Sequence, residues 1–538
     1  MGILRAPGIT MSKKNKIELN DRFRHALQVM DESDNNVFIT GRAGTGKSTL
    51  LEYFRDTTGK NIAVLAPTGV AAVNVKGQTV HSFFNFRPDV TPDTAGKVRP
   101  REKDIYKELD AIVIDEISMV RADILDSVNV FLKRYGKKKG HPFGGIQMIF
   151  IGDLYQLPPV VTSREKALFS GHYKSPYFFS ARVFDEDLFS KISASFEMEF
   201  IELEKVYRQR DKKFLDILNS IRNNTVSDKE INEINRRHDP AFAEKTGDFF
   251  IYLTTTNAMA EKINMERLSK LRADEYGYRG IIDGDFGERN LPTSLALSLK
   301  KGSQVMLLNN DSLGRWINGS IGKVEEIEES DEGPDILWVE LQGGEIVDVL
   351  PHKWEMYEFS FDKESSKILS ESVGSFTQYP IRLAWAVTIH KSQGMTFDRA
   401  IIDIGRGTFS HGQLYVALSR CTSIDGIVLK KPVHKRNVLL DKRVVGFVTE
   451  YQYRQAQKQF SVEERFELLN RAIKEKKNVE IVYLKIRDEK SKRTVVPIHA
   501  GDMNYQGRKF PGLRAICTDK NGERVFHIER ILEMKIIE

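Results

Sequence analysis

The stretch GRAGTGKSTL, residues 41–50, fits G-x-x-x-x-G-K-[ST] and follows the apolar run NVFIT at 36–40. A strand leading into a glycine-rich turn is the setting in which such a loop cradles phosphate. Gly41, Gly44 and Gly46 let backbone N–H groups turn inward, and Ala43, Thr45 and Thr49 complete the lining. Lys47 is placed to neutralise β/γ-phosphate charge and Ser48 to ligate Mg²⁺. Hydrolysis needs a second carboxylate on the metal side. AIVIDEISM (111–119) supplies it, with Asp115 for the metal shell and Glu116 to orient and deprotonate the attacking water. GDLYQLPPV (152–160) puts Gln156 just past a strand end, where its amide could meet a γ-phosphate or a water, and Pro158 and Pro159 stiffen the turn. The residue types alone are equally compatible with a plain turn. Phosphoryl transfer also wants a cation reaching the γ-phosphate from across a cleft. Arg208 in LEKVYRQRD (203–211) and Arg420 in GQLYVALSRCTS (412–423) are the candidates, although each by itself reads as a surface arginine.

These groups need a frame. NVFIT (36–40), NIAVLAP (61–67), AIVID (111–115) and IQMIFIG (146–152) read as buried strands of a parallel sheet. A second set is EFIEL (199–203), FFIYLT (249–254), SQVMLL (303–308) and RAIIDI (399–404). The expected fold class is therefore α/β, two units in tandem. Residues 84–106 are Pro-rich and basic, too irregular for a crossover helix. Residues 311–375 carry short alternating runs that read as a small β-barrel inserted into the second unit. Residues 451–460, YQYRQAQKQF, read as a polar linker, with 446–460 as its full extent.

The chain has 538 residues, 41% hydrophobic and 29% charged, with 81 Lys+Arg against 75 Asp+Glu, a formal net charge of +6. That length suits three or more compact units, and the mild basicity is compatible with a polyanionic partner without demanding one. Two cysteines, Cys421 and Cys517, cannot build a disulfide framework or a Cys-rich zinc site and fit a reducing compartment. No apolar run reaches the ~20 residues of a membrane span. The opening MGILRAPGITMSKKNK has charges but no apolar core long enough for a signal peptide; it is read as a leader or an added remnant before a start at Met11, with no function assigned.

In order along the chain stand APTGVAAVNVKGQTVHSFF (66–84), DEISMVRADILDSV (115–128), HPFGGIQMIFIGDLYQLPPV (141–160), AWAVTIHKSQGMTFD (384–398) and GQLYVALSR (412–420). Together they closely resemble the petite-integration-frequency (PIF) helicases, a 5′→3′ branch of helicase superfamily one, over roughly residues 15–445. The resemblance implies a first RecA-like domain at 15–195, with 84–106 as a strand-separating wedge, and a second at 196–310 and 376–445. It implies an SH3-like barrel at 311–375. It puts Lys47, Ser48, Asp115, Glu116 and Gln156 on the nucleotide motifs of the first domain, with Gln393 and Gly394 also at the nucleotide. Arg208 and Arg420 fall on the two arginine positions of the second domain. Thr68, His81, Asn257, His390, Lys391 and Ser392 fall in motifs that line a single-strand track. One departure concerns the base: IELNDRFRHAL (17–27) holds no Gln where family members carry one that reads adenine, so looser nucleotide choice is expected. On residue chemistry alone, Phe83 and Phe84 read as core rather than as platforms for stacked bases.

Residues 461–538 form a separate unit with 17 Lys+Arg against 13 Asp+Glu. A helix and a strand in RFELLNRAIKEKKNVEIVYL precede strands around a turn at Asn521-Gly522. The pattern resembles a WYL domain, with Tyr483, Pro497, Arg514, Arg524, Phe526 and Arg530 in matching positions and KFPGLRA (509–515) where Trp-Tyr-Leu would stand. Arg514, Arg524 and Arg530 are expected to share a basic face that grips DNA phosphates.

The expected activity is that of an ATP- and Mg²⁺-dependent 5′→3′ DNA helicase, a monomer in the bacterial cytoplasm. Its expected substrates are single-stranded and forked DNA, with G-quadruplexes and RNA–DNA hybrids added by family analogy. Two rival readings are a nucleotide-switched single-strand-binding ATPase that does not unwind, and an effector ATPase regulated through the WYL-like unit.

Overall fold

The computed structural model describes residues 20–537 except 162–168, 170, 185–197, 208, 210, 244–247, 406–409, 486–489, 506–507 and 519–521. The opening segment read above as a leader or remnant, Arg208 and the Asn521 turn position therefore lie outside the described residues.

The first unit is a parallel sheet of β1 (Asn36–Gly41), β2 (Ile62–Ala66), β3 (Gln78–Thr79), β4 (Ala111–Ile114), β5 (Gln147–Ile151) and β6 (Met198–Leu203). Its order is β3-β2-β4-β5-β1-β6. Strands β1, β4 and β5 are apolar nearly throughout because helices cover both faces of the sheet. One face packs on helices Asp21–Glu32 and Lys47–Thr57 through Phe23, Met30, Leu50 and Phe54. The other packs on helix Ala122–Tyr135 through Leu125, Val128, Phe131 and Leu132. EFIEL, read above as a strand of the second unit, is β6. It pairs in parallel with β1, Val37 opposite Glu199, so it closes the edge of the first sheet. An apolar run records burial and does not record which sheet buries it.

The second sheet is also parallel, in the order Ala386–Thr388, Ile251–Thr254, Ala400–Ile402, Ile427–Leu429. SQVMLL is not part of it. Gln304–Leu307 pairs antiparallel with Ile321–Glu328 and Ile381–Leu383 in a separate five-stranded sheet. That sheet and the ladder Glu275–Arg279 with Ala296–Lys300 share one core of Leu299, Val305, Trp316, Val339 and Ile381. The strands of the insertion thus begin at Glu275 and end at Leu383, beyond the expected 311–375 on both sides. The outer strands EYGYR, ALSLK and IRL do alternate, but each is only three to five residues long and too short to stand out beside the longer runs.

A long hairpin, His352–Asp362 with Lys367–Gln378, leaves the insertion and lies on the first unit. Phe359, Phe361 and Ile368 pack there, Arg101 pairs with Glu358 at 2.8 Å, and the Phe361 amide donates to Glu102. Residues 84–106 are anchored by an aromatic cluster of Phe84, Phe86, Tyr106 and Phe131. Phe83 and Phe84 are core, 6% and 0% exposed, as their chemistry suggested.

The polar linker expected at 446–460 is instead the body of helix Lys442–Gln459. VVGFV supplies an apolar stripe one turn upstream of the glutamines. Val444, Val445 and Val448 enter the first unit's core, Phe447 stacks on Phe179 at 4.3 Å, and Tyr451 meets Phe200. The same helix reaches the C-terminal module, where Tyr453 Oη donates to the Leu484 carbonyl at 3.2 Å. That module is an antiparallel sheet in the order Gly522–His527, Arg508–Cys517, Lys490–Tyr505, Asn478–Leu484, Ile531–Ile537. Helix Val462–Lys474 packs across it. SVEE starts this helix as a reciprocal cap: Ser461 accepts from the Glu464 amide and Glu464 from the Ser461 amide. Among the described residues no helix is long and apolar enough to cross a membrane.

Candidate nucleotide and nucleic-acid site

The phosphate loop sits between β1 and helix Lys47–Thr57, at the C-terminal end of the sheet. Gly46 caps that helix at φ +86°, a left-handed conformation that glycine adopts without strain. Gly41 has no room for a side chain; a Cβ there would come within 2.7 Å of the Leu203 carbonyl. Thr45 Oγ1 donates to the Arg42 carbonyl at 3.0 Å and stiffens the turn. Lys47 Nζ donates to the carbonyls of Gly41 (2.8 Å) and Arg42 (3.1 Å), so the cation is held over its own loop. Ser48 and Thr49 are exposed in the first helical turn. Ala43 and Gly44 are gripped from outside. The Ala43 amide donates to Tyr415 Oη of the second unit at 3.2 Å, and the Gly44 carbonyl accepts from the Tyr207 amide at 2.8 Å.

Asp115 and Glu116 close β4. Burial pushes both carboxyls above the usual carboxylate range, and for Glu116 the neighbouring Asp115 adds to the rise. Lys47 opposes the rise at both, which puts the ammonium and the two carboxylates in one field. Glu116 is left-handed at φ +48°, ψ +42°, a strained backbone of the kind that persists where a side chain must be aimed. An exposed hydroxyl at Ser48 and a carboxylate at Asp115 are hard oxygen donors, so the residues present fit Mg²⁺.

The second unit reaches this floor through its 390–394 turn. Gln393 Nε2 donates to Gln156 Oε1 at 2.9 Å and lies 3.4 Å from Glu116 Oε2. Gln156 in turn donates to Asp153 at 3.1 Å. Gly394 is exposed at φ +82°. The contact continues at Gly412, where an added Cβ would lie 2.3 Å from the Gln156 carbonyl and 2.4 Å from that of Tyr155. Glycine is needed there because the two units' loops touch. Arg420 is not a surface arginine: it is 1% exposed. Its guanidinium donates to the carbonyls of Val416, Ser392 and Met395 and to Ser419 Oγ, and its charge acts on Glu116.

The sequence reading missed Asp153, Tyr155, Arg222 and Tyr415. Arg222 ends helix Lys212–Arg222 of the second unit, stacks on Tyr155 at 3.8 Å and lies 3.9 Å from Asp153. Its signal was an arginine on the same helical stripe as Phe214, Leu218 and Ile221, which are buried with it.

The track residues separate into two groups. Thr68 is exposed and caps helix Gly69–Asn74, and His81 is half-buried, its imidazole held below its ordinary pKa by burial and by Arg121. On the second unit Asn257 and Lys391 are exposed, and burial lowers the half-buried His390. Ser392 needs correction: it is 0% exposed and its hydroxyl donates to the Ile389 carbonyl, so it shapes the turn that holds Arg420 and does not line a track. The three C-terminal arginines share no face. Arg514 stands opposite Val525 and Arg524 opposite Ala515, so strand alternation sends them to opposite sides of the sheet. Arg514 lies 3.4 Å from Glu523, and Arg530 belongs to the turn Ile528–Arg530.

A family model described as PIF1-like helicase matches residues 18–232, and one described as WYL domain matches residues 464–536. The ATP-dependent DNA helicase PIF1 of Emericella nidulans is 32% identical over 494 residues, covering 79% of this chain and 62% of that protein. The chain thus spans under two thirds of that relative. The ATP-dependent DNA helicase Pif1 of Bdellovibrio bacteriovorus is 31% identical over 451 residues, covering 81% of this chain and 93% of its own length. A Bacteroides Pif1 double mutant has a crystal structure similar at TM-score 0.74 and 35% identity, over 81% of this chain and 97% of that one. The Bacteroides protein in complex with ADP-AlF3 and ssDNA is similar at TM-score 0.58 and 35% identity, over 81% and 98%.

Proposed function

The chain belongs to the PIF1-like helicase family, and from that premise we propose that it is an ATP-dependent 5′→3′ DNA helicase that translocates on single strands and opens forked duplex. One observation carries the reading. Gln393 of the second unit is bonded to Gln156 and reaches Glu116, so the two units meet over the phosphate loop. A nucleotide bound there would be felt by both.

The roles follow from position. The loop amides around Gly44 and Gly46 would receive the phosphates, and Lys47 would leave its two carbonyls to meet the β/γ oxygens. Ser48 and Asp115 would hold a Mg²⁺ ion, whose charge offsets that of the phosphates. Glu116 would orient the attacking water and take its proton. Gln156 and Gln393 would bond around the γ-phosphate, and Arg420, with Arg208, would supply positive charge as it transfers. Arg420 starts from four hydrogen bonds within its own unit, so its approach to phosphate would rearrange the 390–394 turn. That turn carries His390 and Lys391 of the strand track, and hydrolysis is coupled to strand movement there. The 84–106 segment would split the duplex ahead. G-quadruplexes and RNA–DNA hybrids are further substrates on this reading, and the chain acts as a monomer in a bacterial cytoplasm.

The test is strand separation on duplexes bearing only a 5′ or only a 3′ single-stranded tail. ATP-dependent opening of the 5′-tailed duplex alone is expected. Single-strand-stimulated ATPase with no separation of either duplex would select the nucleotide-switched binding protein instead.

A further inference from the structure

The Gln156 amide is engaged at both ends. Its Nε2 donates to Asp153 Oδ2 at 3.1 Å, and its Oε1 accepts from Gln393 at 2.9 Å. Asp153 therefore anchors the side chain proposed above for the γ-phosphate. Its carboxylate is 0% exposed. The other oxygen, Oδ1, accepts from the Tyr155 amide at 3.1 Å and lies 3.9 Å from Nη2 of Arg222. Arg222 comes from the second unit, where it ends helix Lys212–Arg222, and its side chain is 3% exposed. The guanidinium sits 3.8 Å from the centre of the Tyr155 ring, and this stack fixes the plane in which it meets Asp153. At 3.9 Å the two charges attract without a hydrogen bond. A shift of about 1 Å would turn that attraction into a charge-assisted bond. The phosphate loop lies beside the pair. Burial raises the Tyr415 hydroxyl above its usual range, Asp153 adds to the rise and Arg222 opposes it. The same hydroxyl accepts from the Ala43 amide of the loop at 3.2 Å.

We propose that Arg222 is a positioning residue for ATP hydrolysis: as the two units close, its guanidinium bonds the Asp153 carboxylate and turns the Gln156 amide from Asp153 to the γ-phosphate. A charged donor outcompetes a neutral amide for the same carboxylate, so the exchange runs in that direction. The inference rests on the nucleotide reading above and adds a second-unit cation that never touches phosphate. Arg208 and Arg420 would act on the transferring group itself. Arg222 acts one side chain further out, through the glutamine that meets that group.

ATPase of the full chain is measured with oligo-dT present, in steady state and as single turnovers so that slow variants stay measurable. Arg222→Gln should lower kcat by about tenfold to a hundredfold, the scale of one charge-assisted hydrogen bond, while KM for ATP stays within about threefold. Arg222→Lys keeps a cation beside Asp153 and should recover most of that loss. The deciding readout is a cycle with Gln156→Ala. Adding Arg222→Gln to that variant should cost less than about threefold, because the side chain it positions is gone. A merely structural arginine would cost the same in both backgrounds, and such additivity overturns the inference. So does a parent kcat in Arg222→Gln, or a loss confined to KM. If Arg222→Gln fails to fold, Tyr155→Leu takes its place in the cycle. It removes the stacking ring, leaves both charges and should lower kcat only where Gln156 is present; a parent kcat, or a loss independent of Gln156, again overturns the inference. These outcomes leave the helicase reading intact, since that is decided on the tailed duplexes. A parent chain that hydrolyses no ATP overturns both.

Discussion

The nucleotide cleft and the C-terminal module use the same residue types in opposite ways. In the cleft, side chains far apart in sequence converge: Gln393 meets Gln156 and Glu116, Tyr415 meets Ala43, and Arg222 stacks on Tyr155. In the module, arginines close in sequence diverge, Arg514 to one side of the sheet and Arg524 to the other. Loops at the ends of two parallel sheets can face each other, so distant groups share one point. A strand alternates its side chains, so near neighbours part. Density of charge in a sequence therefore predicts a site only where the fold brings that charge together.

Substitutions can break this contrast or sharpen it. The largest loss is expected from Lys47→Ala, which removes the fixed cation at the phosphates and should take single-strand-stimulated ATPase to background; parent-level turnover would remove the cleft from the chemistry. Arg420→Ala should lower the ATPase rate by about 10³, the scale of an arginine finger, while oligo-dT binding measured without nucleotide stays near the parent's. Arg208→Ala, at the position outside the described residues, should match it. If Arg420→Ala hydrolyses ATP normally, that buried guanidinium is only a brace for its turn.

Next comes the joint between the two regions. Phe447→Ala deletes a ring stacked on Phe179 and packed near Phe38. It should cost about 3 kcal/mol in urea unfolding, the low end for a core phenylalanine. An unchanged midpoint would return helix Lys442–Gln459 to the status of a tether. Gln393→Ala removes one neutral hydrogen bond between the units and should slow turnover by up to about tenfold, with the nucleotide affinity less affected. A parent rate would mean that the contact is incidental to closure.

The smallest effect is expected in the module. Deleting residues 461–538 should leave DNA-stimulated ATPase in place and change the single-strand salt slope by less than ~0.7, under one phosphate contact. A larger change would show that the diverging arginines still reach DNA, and would erase the contrast between the two regions.

How much was legible follows from these residues. The phosphate loop, Asp115-Glu116 and the WYL-like helix start could be read directly, because each is a local pattern whose geometry lies within a few residues. Phe83 and Phe84 were readable as core for the same reason. EFIEL and SQVMLL were readable as strands but not as members of a given sheet, since the apolar run is the same in either place. The tail of helix Lys442–Gln459 was hidden by its polar run YQYRQAQKQF, although Gln452 within that run is buried.

The sequence by itself determined the phosphate chemistry and the kind of unit that holds it, because loop, strand and helix are set by neighbouring residues. It also set the order of the motifs along the chain. Only the tertiary structure decided which distant side chains meet. It put Gln393 on Gln156, enclosed Arg420 with Ser392, set Arg222 beside Asp153 and separated Arg514 from Arg524. Those outcomes depend on how sheets and helices pack across hundreds of residues, and the identity of a single residue carries no record of the partner that packing will bring to it.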